Sequence, residues 1–148
     1  MSVDPLYEHA VTLLARKDYC NGEMRRVLHS MTDDDMAVEV VLQRLREYGY
    51  LDDRRIAENM LSRFLRKQYG PVRIRLELRQ RGIAREICEN VISGCDTDWF
   101  QMAAESRSKK FGDSLLSEPK EKARQMRFLQ SRGFTMDMIT EAMTSAED

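Results

Sequence analysis

Gly70-Pro71-Val72-Arg73-Ile74-Arg75-Leu76-Glu77-Leu78-Arg79-Gln80-Arg81-Gly82 is the stretch on which the fold class turns. Val72, Ile74, Leu76 and Leu78 alternate with Arg73, Arg75, Glu77 and Arg79, which is the period of a strand. Against a strand stand Pro71 at a first helical position, Gly82 as a C-terminal stop, and the lack of any sheet for a lone strand to join. The stretch therefore reads as a helix, and the chain as all-α.

Working outward supports that reading. Upstream, Asp52 and Asp53 open the longest helix, and Ile56, Ala57, Met60, Leu61, Phe64 and Leu65 recur as one buried stripe until an end near Tyr69-Gly70. Downstream, a short helix is expected over 83–93, and Gly94 to Asp98 caps the next element before Trp99. The first third carries amphipathic patterns over 7–17 and 23–30. Thr32-Asp33-Asp34-Asp35 then supplies acceptors and negative charge to a helix that stops at Gly49. The last third runs as helices over 98–110, up to Arg132 and on to about Ala142, with Gly133 between the last two and a loop through Gly112 and Pro119.

The same plan recurs. Tyr19, Met24 and Leu28 map onto Tyr69, Ile74 and Leu78, and Leu78, Gly82, Ile83, Ile87 and Ile92 map onto Leu129, Gly133, Phe134, Met138 and Met143. Tyr69-Gly70 against Phe111-Gly112 leaves room for an insertion around 113–121. Three tandem three-helix repeats are predicted, 1–50, 51–95 and 96–148, in an elongated, curved arrangement.

Charge is distributed unevenly along this plan. From Arg54 to Arg85 there are ten basic residues against two acidic ones, Glu58 and Glu77, a net of +8. The rest of the chain carries −9, so the total of −1 conceals a basic middle. A purely solubilising face mixes signs and gains i,i+4 pairs. This one calls for an anionic partner, with Arg66, Lys67, Arg73, Arg75, Arg79, Arg81 and Arg85 as the binding residues. Nucleic acid and an acidic protein surface both satisfy that chemistry.

Catalysis has no visible home. His9 and His29 lie at no metal-ligand spacing, the glycines stand singly with no phosphate-cradling motif, and each aspartate cluster precedes a helix it can cap. No metal and no cofactor is expected. Cys20, Cys88 and Cys95 are odd in number and form no CxxC pair, which suits a reducing compartment. Cys88 reads as core and Cys95 as a loop thiol. Tyr48, Tyr50 and Trp99, beside helix junctions, read as core rather than interface anchors. The N-terminus has no signal-peptide pattern and no apolar run nears bilayer length, so the cytosol is the expected location.

The run Tyr48-Gly49-Tyr50-Leu51-Asp52-Asp53, then Ile56-Ala57, Lys67-Gln68-Tyr69-Gly70-Pro71 and Arg79-Gln80-Arg81-Gly82-Ile83, resembles the RecX family of regulatory proteins. The resemblance continues through Asp98-Trp99 and Arg127-Phe128-Leu129 to Arg132-Gly133-Phe134. It implies a protein of tandem three-helix repeats that binds the RecA recombinase filament on single-stranded DNA; contact to single- or double-stranded DNA is expected through the basic repeat, and the chain is expected to be a monomer. It further implies inhibition of filament extension and recombinase activities, in the control of DNA repair and the SOS response. One departure is Cys20, where members often have serine three residues before Glu23; a thiol is a poorer cap, and a less firmly ordered first repeat is expected. Without the resemblance, a helix-turn-helix transcription regulator is the alternative.

Overall fold

The computed structural model describes residues 2–112 and 118–147, and among these the chain forms helices and no strand. In order they are α1 (Val3–Leu14), α2 (Asn21–His29), α3 (Asp35–Glu47), α4 (Asp53–Arg66), α5 (Pro71–Arg81), α6 (Arg85–Ser93), α7 (Trp99–Phe111), α8 (Pro119–Ser131) and α9 (Met136–Glu147). The alternating stretch is helical. Its strand-like period arises because Ile74 and Leu78 form one i,i+4 stripe that is fully buried, while Val72 and Leu76 form a second, at 47% and 54% exposure, on the opposite side.

Boundaries shift from the expected ones for local reasons. α1 begins at Val3, four residues early, with Pro5 in its first turn where no amide donor is needed, and it ends at Leu14. α4 stops at Arg66 rather than near Tyr69, because Gln68 turns left-handed at φ 60°. There the Tyr69 amide bonds back to the Phe64 carbonyl and the Gln68 amide to Leu65, each at 3.0 Å. This is the double-bonded helix end usually built around glycine. Glycine supplies it at Gly49, Gly82 and Gly133. α9 runs on to Glu147, past the expected end. Of the expected insertion, 113–117 lies outside the described residues, and Pro119 to Glu121 form the first turn of α8.

The chain divides into two compact units, one of Met1–Asn59 with Leu78–Cys88, the other of Met60–Glu77 with Glu89–Asp148. The division runs through α4, α5 and α6. In the first unit, Leu6, Ala10, Met24, Leu28, Val38, Val41, Leu42 and Leu45 make a core shared by α1, α2 and α3. Asp34 caps α3 through the Ala37 amide at 3.1 Å, and Asp52 caps α4 through the Arg55 amide at 3.1 Å. Asp53 does something else: its carboxylate accepts the backbone and side-chain N–H groups of Asn21, at 2.8 and 3.1 Å, and so ties the start of α2 to the start of α4.

Cys20 is fully buried and its thiol donates to the Arg81 carbonyl at 3.4 Å, while Glu23 reaches back to accept the Cys20 amide at 2.9 Å. The thiol thus joins the α2 start to the end of α5, a use that the serine-for-cysteine comparison did not anticipate. The second unit has the equivalent junction in backbone form. The amides of Gly70 and Val72, at the start of α5, donate to the carbonyls of Arg132 and Gly133 at 2.7 and 2.9 Å. Unsatisfied donors of one helix start meet unsatisfied acceptors of another helix end. The contact is close enough that a Cβ on Gly133 would lie 2.3 Å from that of Arg73.

The second unit's core is Ala103, Leu129, Phe134, Ile139, Ala142 and Met143, with Trp99 and Phe128 packed against it. Within it Arg107 is buried and donates to Gln125 at 3.2 Å; Gln125 in turn donates to Glu121 at 3.0 Å, and Arg124 forks onto the same carboxylate.

Candidate functional site

The basic residues of the middle stretch fall into two groups. Arg75 forks onto Glu89 at 2.5 and 3.2 Å. Arg81 donates to Glu23 at 3.0 Å and to the Asp18 carbonyl at 3.3 Å. Arg73 lies 3.9 Å from the centre of the Tyr69 ring, reaches Glu77 at 3.7 Å and donates to the Ser131 carbonyl at 3.2 Å. These three arginines are committed inside the chain, and two of their carboxylates, Glu23 and Glu89, lie outside the window in which the charge was counted.

Arg66, Lys67, Arg79 and Arg85 have no carboxylate at ion-pair distance among the described residues. Arg79 donates to the Ile83 carbonyl at 3.4 Å, and Arg85 is exposed in the first turn of α6. Arg66 and Lys67, at the end of α4, line a cleft of about 430 Å³ with Gln68, Ser106, Lys109, Lys110, Phe128 and Arg132. The fold therefore brings Lys109, Lys110 and Arg132 beside two of the sequence-predicted residues, in a site that charge counting along the chain missed. The signals were present as the Lys109-Lys110 pair and Arg132, but they lie outside the 54–85 window, in a stretch from Glu105 to Arg132 where eight basic residues against four acidic ones make a weaker asymmetry.

Other sequence-read residues are placed plainly. Cys88 is buried and Cys95 is half-buried. Trp99 is partly buried against the core of the second unit. Tyr48 and Tyr50 are not core, at 72% and 42% exposure, because the left-handed Gly49 between them turns the chain at the surface. Among the described residues, no helix is long and apolar enough to cross a membrane.

Comparison with known proteins follows the same helices. The description "RecX, second three-helix domain" matches residues 52–92 and "RecX, third three-helix domain" matches 96–143. A "Regulatory protein RecX" of Salmonella arizonae is 39% identical over 97% of this chain and 92% of its own. The chain belongs to the RecX family. A family member from Halorhodospira halophila is 37% identical over 94% of this chain and 86% of its own. The crystal structure of RecX from Lactobacillus salivarius shares the family fold at a TM-score of 0.81 with 19% identity, covering 98% of this chain and 96% of that one. A second RecX crystal structure superposes at 0.75 over 96% of this chain and 71% of its own. The family's repeated three-helix domains account for the α4–α6 and α7–α9 triplets.

Proposed function

We propose that this chain is a cytosolic, monomeric regulator that binds the RecA recombinase on single-stranded DNA and restrains filament extension, with no catalytic step of its own. The observation that carries this reading is near-full-length membership of a family whose curated relatives are named as regulatory proteins. The domain partition 1–50, 51–95 and 96–148 belongs to the same proposal. So do the binding roles of Arg66, Lys67, Arg73, Arg75, Arg79, Arg81 and Arg85.

Among those seven, Arg75 and Arg81 are already paired with carboxylates, so replacing them tests folding as much as binding. Arg66, Lys67, Arg79 and Arg85 give the cleaner test. Capture of RecA should increase when single-stranded DNA and a non-hydrolysable nucleotide are added. RecA-catalysed ATP hydrolysis and strand exchange should fall as the protein is titrated in, and the Arg66, Lys67, Arg79 and Arg85 quadruple alanine variant should lose that inhibition. Undiminished inhibition by the variant removes the basic residues from the mechanism, and no capture of RecA removes the reading itself. Tight binding to one duplex sequence, without RecA, would favour a transcription regulator instead.

A further inference from the structure

We propose that the cleft formed by Arg66, Lys67, Lys109, Lys110 and Arg132 is a phosphate-binding site for two or more adjacent phosphate groups, supplied by a nucleic-acid strand or by the tail of a free nucleotide. It rests on the proposed binding role of Arg66 and Lys67 and extends it to Lys109, Lys110 and Arg132, with a test that uses no recombinase.

Five cations line one concavity, and no described carboxylate lines it or stands at ion-pair distance from any of them. Arg75 and Arg81 show how this chain treats arginines that serve its own fold: each meets a carboxylate. Like charges gathered without counter-charge repel one another, and an anion that carries several charges in a small volume relieves the repulsion in one binding event. Phosphates do so more effectively than side-chain carboxylates, which bring one charge each on separate flexible stems. The mixture of residues also suits phosphate. Two guanidinium forks offer paired donors, three ammonium groups offer point charges, and Gln68 and Ser106 add neutral donors.

The site is partly set before any ligand arrives. Arg132 donates to the Lys67 carbonyl at 3.2 Å, and its guanidinium carbon lies 5.2 Å from the centre of the Phe128 ring and 5.7 Å from that of Tyr69. The ammonium group of Lys110 lies 5.8 Å from the Phe128 ring centre. Gln68, beside Lys67, is the one described non-glycine residue with a left-handed φ, held there by the double-bonded end of α4. Strain of this kind persists where surrounding structure fixes it, and it concentrates at ligand sites. Here it sets the direction in which Lys67 and Gln68 leave the helix.

The test uses the full chain without RecA. Binding of a fluorescent oligothymidylate is followed by anisotropy across a salt series, and binding of inorganic triphosphate by calorimetry. Two pairs are compared with wild type, Arg66→Ala with Lys67→Ala and Lys109→Ala with Lys110→Ala; all four residues are exposed, and circular dichroism checks the fold. A third pair, Arg16→Ala with Arg26→Ala, removes the same charge from exposed positions in the first unit. Each cleft pair should weaken binding at least tenfold, and the third pair should leave it nearly unchanged. For the oligonucleotide, the slope of log K against log salt should become shallower by about 1.4, for two lost phosphate contacts. An oligonucleotide response alone assigns the site to a strand, and a triphosphate response alone assigns it to a nucleotide; both are phosphate sites. The proposal is overturned if neither ligand binds the wild type or the cleft pairs bind as wild type. Equal loss by the third pair, or displacement by polyglutamate as readily as by oligonucleotide of equal charge, would also overturn it.

Discussion

At Glu23, burial and bonding pull in opposite directions. Burial alone would push its carboxyl up; the Cys20 amide, the Arg81 guanidinium and the Cys20 thiol outweigh it and hold the group below its ordinary value. A carboxyl whose folded value is depressed stabilises the fold fully above its unfolded value, about 4.3, and loses that contribution as pH falls through the folded one. Glu23→Gln should therefore be less stable than wild type in urea unfolding at pH 7, with the difference closing as the pH is taken below 4. A gap that persists unchanged into acid would show that charge at Glu23 is not what matters. Burial likewise pushes the Cys20 thiol up and keeps it protonated, so a thiol reagent should label half-buried Cys95 well before Cys20 or Cys88. Glycine provides a second residue-scale contrast. Gly49, at φ 77°, faces open space, whereas Gly133, at φ 96°, abuts the Arg73 backbone. Gly49→Ala should cost only the backbone strain, about 1–2 kcal/mol. Gly133→Ala should cost clearly more by the same denaturation measurement, since α5 must move to admit the methyl group.

For the elements, α5 is the instructive case. Four apolar residues at alternate positions would line one face of a strand, and truncating any of them would then have similar effects. In the helix they split between a buried and an exposed stripe. Ile74→Ala should cost about 2–5 kcal/mol, and Leu76→Ala should stay within about 0.5 kcal/mol. Proline and glycine at its ends predicted the helix correctly because they act on the backbone, whatever the side chains do. The ends of other elements were harder to read. Gln68 terminates α4 in a conformation that sequence reasoning reserves for glycine, and nothing in its chemistry announces this; the cost is borne by the packing of the turn that follows.

Across the whole molecule, the basic middle stretch is less uniform than its charge suggests. Arg81→Ala should lower stability by about 1–2 kcal/mol, since it breaks a charged bond and strands a partly buried Glu23. Arg75→Ala should cost less, because both partners are about two-fifths exposed and water screens the pair. Arg85→Ala should stay within about 0.5 kcal/mol. Thermal unfolding of the three variants orders them, and any other order would show that the ion pairs are not distributed as described. By itself the sequence determined the helical class, the positions of most helices, the recurring three-helix plan and the family, because these depend on local periodicity, caps and spacings that lie along the chain. Only the tertiary structure decided which arginines are satisfied internally and which converge on a cleft. Glu23, Glu89, Lys109, Lys110 and Arg132 all lie outside the basic window, Glu89 four residues past its end and the others more than twenty residues away. Coulombic interaction follows distance in space, which a count along the chain does not measure.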